Sequence, residues 1–270
     1  MDPMTAQMGM IPKFDPLGFP VMADILTPIE IGNVRVDTFV VDEQEAFVTF
    51  MKCQFSGEGR TYVAPGRYAR MLVRTDQDMA PDEFGETEAK WRIMMSDTMA
   101  ERVETQKALK NLTGNVLVAG LGLGMLVHAL VLKPDVKSVT VIEVNPFVIS
   151  AVAPTLPKNV TVIHKSVFDW QPDPGVVYDT WFYDIWPTIG EHMLTQMKQL
   201  RFLHQDGHSK ATWVEGWLER ELEAVQAIED SILEYAKHHG VDPVKVVGMV
   251  NSRIRLALEN EEVKRMREQG

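Results

Sequence analysis

Apolar positions change their period several times along the chain. Between Pro28 and Arg74 they fall in short β-rich runs, Val34–Val41, Ala46–Met51 and Tyr68–Val73, separated by acidic or glycine-bearing turns. This pattern predicts a small antiparallel sheet. Glu86 to Leu112 reads as mostly helical, interrupted near Ser96-Asp97, with Gly114 as its stop. Strand and helix then alternate. Val116–Ala119 is an unbroken apolar strand of the kind covered on both faces. Helix Gly124–Leu132, strand Ser138–Ile142, helix Pro146–Ala153 and strand Val160–Ile163 follow. The series continues with strand Val176–Tyr183, helix Glu191–Phe202 and strand Ala211–Val214. Successive βα units of this size specify a doubly wound parallel sheet. Beyond it, Leu218, Leu222, Val225, Ile228 and Ile232 recur at three- and four-residue steps. They predict one amphipathic helix over Trp217–Lys237, ended by Gly240, with Asp242-Pro243 opening another helical segment.

Four segments result: an N-terminal arm over 1–27, a β-rich region with a connecting helix over 28–112, the α/β domain over 113–215 and a helical extension over 216–270. The fold class is α/β, with a Rossmann-like doubly wound sheet. Hydrophobic residues make up 45% of the 270, enough for a substantial core. The formal net charge of -11 repels phosphate backbones, so no nucleic-acid partner is expected. The single cysteine, Cys53, excludes an intrachain disulfide and a thiolate metal cluster. The first seventeen residues lack the basic start and apolar run of a secretory signal, and no window reaches the length of a membrane span. The expectation is a cytoplasmic protein without a membrane partner. His238-His239 are adjacent, and His204 and His208 flank a turn-like Asp206-Gly207, so no metal is expected.

The chemistry concentrates in Val118-Ala119-Gly120-Leu121-Gly122-Leu123-Gly124, which leaves a buried-type strand and opens a helix. Glycines there allow a sharp turn and bring exposed N–H groups close to a ligand. A phosphate-binding P-loop would continue with Lys-Ser/Thr, but Met125 follows Gly124. A dinucleotide fingerprint needs a small residue five after Gly120, where Met125 again stands. The Gly-x-Gly-x-Gly spacing tolerates a ligand without a pyrophosphate. Glu143 ends the second strand, 23 residues after Gly120. A carboxylate at that tip can accept both hydroxyls of a ribose.

Val116 through Val148 resembles the class I S-adenosylmethionine-dependent methyltransferase superfamily. Its spermidine-synthase-like branch is similar in the glycine loop, the strand-two Glu and an N-terminal β-rich domain. The resemblance implies S-adenosylmethionine as cofactor, with Gly120, Gly122 and Gly124 under its methionine part, Glu143 on the ribose, and Leu121 and Val144 beside them as further cofactor-binding candidates. From the third strand's end it implies Ser166, Val167 and Asp169 near the adenine. Ser166 stands where relatives often carry Asp, and Asp169 is equally a loop or capping residue. The segment Arg92–Glu101, which contains Met94-Met95-Ser96-Asp97-Thr98, matches a region that folds over the cofactor in related folds, and Asp97 is its candidate contact, although a helix cap at Ser96 explains the same letters.

Asp184 ends the fourth strand, at the sheet edge where open α/β folds bind ligands. It is the candidate catalytic residue, orienting or deprotonating a nucleophile; tying down its own loop is the competing role. Trp181, Tyr183 and Trp186 add aromatic surface nearby, for a cationic or flat substrate or for the core. The expected activity is methyl transfer to a small-molecule nitrogen or oxygen. Aminopropyl transfer, another S-adenosylmethionine-consuming reaction and a non-catalytic assembly module are the alternatives. The β-rich region and the 217–237 helix offer surface for a homodimer.

Overall fold

The computed structural model describes residues 17–56, 62–74, 91–187, 190 and 192–247. The chain divides into two compact units, with the boundary in sequence between Trp217 and Leu218.

The first sheet of the larger unit is antiparallel, with strands β1 (Ile29–Ile31), β2 (Val34–Val41), β3 (Gly66–Arg74) and β4 (Trp91–Ser96) in sequential order. Two expectations fail here. The run Ala46–Met51 is not a strand but part of helix α1 (Glu43–Ser56). Asp42 and Glu45 explain it. The Asp42 carboxylate accepts from the Glu45 N–H at 2.8 Å, and the Glu45 carboxylate reaches back to the Asp42 N–H at 3.4 Å. This reciprocal capping outweighs the β-branched and aromatic content of the run. The second failure lies in the helix expected over Glu86–Leu112, ahead of its expected interruption near Ser96-Asp97. Trp91–Ser96 is strand β4, paired along β3 from Trp91–Arg74 to Ser96–Arg70, and helix α2 spans only Met99–Asn111. Tertiary pairing decides a short apolar run of ambiguous period. Residues 86–90, the acidic loop 75–85 and the arm's first sixteen residues lie outside the described set.

The second sheet is the Rossmann-like one read from the sequence. Strands β5 (Gly114–Ala119), β6 (Val136–Glu143), β7 (Val160–His164), β8 (Thr180–Tyr183) and β9 (Trp213–Gly216) are parallel, in the order β7-β6-β5-β8-β9. Helices α3 (Met125–Leu130) and α4 (Pro146–Val152) link β5 to β6 and β6 to β7. Helices α5 (His192–Leu203) and α6 (Gln205–His208) link β8 to β9. The order reverses between β5 and β8, which opens a crevice at their C-terminal ends. Val176 and Val177 were expected to start the fourth strand, but they precede it and are exposed.

Both sheets share one core. Val34, Val36 and Met71 of the first sheet join Val116, Val118, Val139 and Val141 of the second in one buried cluster, together with Ala108, Leu109 and Leu112. The arm wraps rather than frays over residues 17–26, burying Phe19, Met22, Ala23 and Leu26. In the second unit, helix α7 (Glu219–His239) follows Leu218, whose φ is 53°, and ends at Gly240. No strand follows Gly216 among the described residues.

A fully buried ion pair ties these pieces together. Arg102 on α2 contacts the Asp97 carboxylate at 2.9 Å and donates to the carbonyls of Asp97, Phe19 and Pro20. Asp97 also accepts from the N–H groups of Met22, at 2.8 Å, and Ala69, at 2.7 Å. Removing one partner of such a pair strands a buried charge, so Arg102→Ala is expected to lower unfolding free energy by about 3–5 kcal/mol. Urea unfolding of wild type and variant checks this; a loss below about 1 kcal/mol would show the clamp to be dispensable.

Candidate functional site

The site starts from hydrogen bonds that continue just past the strand ends. Gly120 N–H donates to Ile142 O at 2.8 Å, Asp184 N–H to Ala119 O at 2.7 Å and Lys165 N–H to Glu143 O at 3.0 Å. The loops after β5, β7 and β8 therefore leave the sheet in register at one edge. At Gly120, φ is 96° and any Cβ would collide with the carbonyl of Asp184. Only glycine lets the loop pass this close to β8. Gly122 has φ 50°, and its open side faces the Met95 sulfur. Gly124 caps α3.

Glu143 is buried at the tip of β6, and both of its oxygens are engaged. One accepts from Leu121 N–H at 2.8 Å, the other from Asn145 N–H at 2.7 Å. The carboxylate thus holds the glycine loop and its own strand exit, and each oxygen keeps a lone pair for a ligand hydroxyl. Ser166 caps the short 3-10 turn Val167–Asp169, accepting from Phe168 N–H at 3.3 Å.

These groups border one cavity of about 360 Å³. Gly120, Gly122, Glu143, Val144, Ser166, Val167 and Asp184 all line it. Ile185, Trp186, Pro187, Trp217 and Phe168 supply apolar wall, and Lys165 a cationic group. Leu121, Gly124, Asp169 and Asp97 are not on the wall. Leu121 reaches the site only by donating to Glu143, and Asp169 closes the turn that Ser166 caps. For Asp97 the structure corrects the reading. Its side chain is fully buried in the Arg102 clamp, with both oxygens committed there. Ser96 is not the α2 cap; Thr98 holds that position.

The segment Arg92–Glu101 does reach the cavity, but through Met94, Met95 and Glu101 rather than through the Asp97 named from the sequence. Glu101 lies in the first turn of α2. The interruption expected near Ser96-Asp97 is present, but the strand before it was read as helix, which left the direction of Glu101 undetermined. Burial raises the Glu101 carboxyl to about 7, helped by the negative charges of Asp184 and Glu104 and opposed by a bond from the Ser96 backbone. Asp184 is likewise raised to about 7, by burial first and then by the charges of Glu104 and Glu143. Two acids on one wall, both near neutrality, can take up or release a proton at physiological pH.

Of Trp181, Tyr183 and Trp186, the aromatics singled out in the sequence, only Trp186 lines the cavity. Trp181 and Tyr183 are fully buried among His204 and His208. His204 Nε2 lies 3.0 Å from the Trp170 carbonyl, so it carries the proton there, and Nδ1 accepts from the Tyr183 hydroxyl at 2.9 Å. The Tyr183 oxygen then accepts from His208 Nε2 at 2.7 Å. Burial, helped by the charges of His204 and Arg201, lowers the His208 ring to about 4 and keeps this chain neutral. It fastens α5 and α6 behind the strand that carries Asp184.

No protein-family model and no curated protein matches the chain. Similar solved structures include the DhpI–SAM–HEP complex, at 21% identity over 46% of this chain and 58% of that one, TM-score 0.32. The N-methyltransferase NodS from Bradyrhizobium japonicum, in complex with S-adenosyl-L-homocysteine, is 17% identical over 39% and 56%, TM-score 0.30. The SAM-bound amino pentose methyltransferase CalS10 from Micromonospora echinaspora is 16% identical over 43% and 49%, TM-score 0.30. The match spans about half the length of these structures, and likeness this partial identifies no family; the chemistry of the cavity carries the functional reading.

The raised Asp184 acid has a stability signature. Its carboxyl moves from 3.8 to about 7 on folding, so the folded state binds the proton more tightly than the unfolded chain. That contribution is present at low pH and is lost as pH rises to about 7. Asp184→Asn lacks the loss. Its melting temperature relative to wild type is expected to climb between about pH 4 and pH 7 and then level off. A difference that is flat across this range would place Asp184 in an ordinary solvated setting.

Proposed function

We propose that the larger unit is an S-adenosylmethionine-dependent methyltransferase acting on a small amine. One observation carries the reading: the glycine loop, the strand-tip Glu143 and the acids Asp184 and Glu101 border a single cavity at the C-terminal edge of the parallel sheet. Bound there, S-adenosylmethionine would supply an electrophilic methyl on a sulfonium centre. Glu143 suits the ribose hydroxyls, because its free lone pairs accept two donors and its charge disfavours a phosphate. Val144, Val167 and Phe168 offer apolar surface to the adenine, with Ser166 beside them as a hydrogen-bonding group.

The acidity of the wall favours nitrogen over oxygen as acceptor. Glu101, Glu143 and Asp184 line the cavity and the charge of Glu104 reaches it, against one lysine, Lys165. A protonated amine relieves their mutual repulsion, and a neutral alcohol does not. An amine must lose a proton before its lone pair can attack, and Asp184 with Glu101 can accept that proton near pH 7. Trp186 and Trp217 can cover the alkyl part of the acceptor and exclude water. The same acidity suits a diamine in aminopropyl transfer, so decarboxylated S-adenosylmethionine is the second donor to assay.

Calorimetry followed by single-turnover assays tests the proposal. S-adenosylhomocysteine should bind more tightly than NAD, and Glu143→Ala should weaken it by about 1.5–3 kcal/mol, the scale of hydrogen bonds to a charged group. With an acceptor drawn from a screen of amines and hydroxyl compounds, Asp184→Asn should keep that affinity and lose about 10²–10⁴ in turnover. Preferential NAD binding would overturn the cofactor. Productive turnover with alcohols alone would overturn the acceptor class.

A further inference from the structure

Met94 and Met95 are neighbours on β4, yet both line the cavity. Neighbours on a regular strand point to opposite faces. The ladder explains the exception. Met71 pairs with Met95 and Leu72 with Ile93, which leaves Met94 as an extra residue on β4. Such a bulge re-aims side chains. Here it accompanies a Met95 that sits over the glycine loop. The Met95 sulfur accepts from Leu123 N–H at 3.3 Å, and it lies where a Cβ on Gly122 would stand.

The other N–H groups of the loop that bond within the chain use oxygen. Gly120 donates to Ile142 O, Leu121 to Glu143 and Gly124 to Leu121 O. Leu123 alone among these gives its proton to a thioether, a weak acceptor on a flexible side chain. A carboxylate would form a far stronger bond to the same N–H. The Glu143 end repels a ligand's carboxylate and selects hydroxyls, whereas Gly122 and Leu123 present backbone and a donor.

We propose that Met95 is a displaceable plug over Gly122 and Leu123, pushed aside by adenosyl ligands that carry an amino-acid carboxylate and left in place by those that lack one. The proposal rests on the cofactor reading above and adds to it a determinant of which adenosyl compound binds. The wild-type thioether must give up its bond before the carboxylate can take the N–H, which holds affinity for the intact cofactor below what the loop alone would offer.

The test is calorimetry of S-adenosylhomocysteine and of 5′-methylthioadenosine, which carries only a methyl group on the sulfur in place of the amino-acid chain, on wild type, Met95→Ala and Met95→Leu. Melting curves accompany each protein. Both variants remove the sulfur acceptor, and Met95→Leu keeps most of the apolar volume should Met95→Ala fail to fold. S-adenosylhomocysteine is expected to bind about three- to tenfold more tightly to the variants, the scale of one net hydrogen bond. Methylthioadenosine should change less than about twofold. Unchanged or weaker S-adenosylhomocysteine binding in a folded variant would make Met95 an ordinary wall of the site and overturn the proposal. An equal gain for both ligands would mean a merely enlarged cavity and would overturn it too. Wild type that binds neither compound would remove the cofactor reading itself, an outcome distinct from both.

Discussion

The buried contact between Asp97 and Arg102 joins three stretches of chain that are remote in sequence. Asp97 accepts from the N–H groups of Met22 and Ala69, and Arg102 donates to the carbonyls of Phe19 and Pro20. Taking both charges out of water is costly, and the geometry offsets the cost by satisfying each oxygen of Asp97 with a donor. The consequence reaches the site. Asp97 directly follows β4, which carries Met94 and Met95, and Arg102 directly follows Glu101. One pair thus sets the phase of the strand and of the helix that supply the cavity wall opposite the parallel sheet.

The parallel sheet supplies the other wall by a different constraint. Gly120 passes so close to the Asp184 carbonyl that no side chain fits between them. The glycine loop is therefore needed by the packing of β5 against β8 as well as by any ligand. The same closeness fixes Asp184 beside Glu143 and within reach of the charge of Glu104, where its ionised form is disfavoured. A group held in an unfavourable charge state at a strand end is a cost to folding that makes sense at a site of proton transfer.

Legibility in the sequence followed how local the cause was. β5, the glycine loop and β6 could be read directly, because an apolar strand covered on both faces and a glycine-opened helix are local patterns. The α1 helix was misread from its β-branched and aromatic run, although Asp42-x-x-Glu45 held the capping signal. β4 was misread because its apolar run fits either period and only pairing with β3 decides it. That error left Glu101 without a direction, and the resemblance assigned Asp97 to the ligand, when its partners lie 5, 28 and 75 residues away in sequence. Met95 over the loop depends on the bulge at Met94, which no periodicity in a single strand reveals.

The central claim is that the cavity between Gly120, Glu143 and Asp184 receives an adenosyl cofactor. A crystal structure of the protein grown with S-adenosylhomocysteine tests it most directly. The account predicts ligand density in this cavity, with the ribose hydroxyls within hydrogen-bonding distance of the Glu143 carboxylate and the sulfur on the side of Asp184. Density at another place on the chain, or a ribose turned away from Glu143, would contradict it.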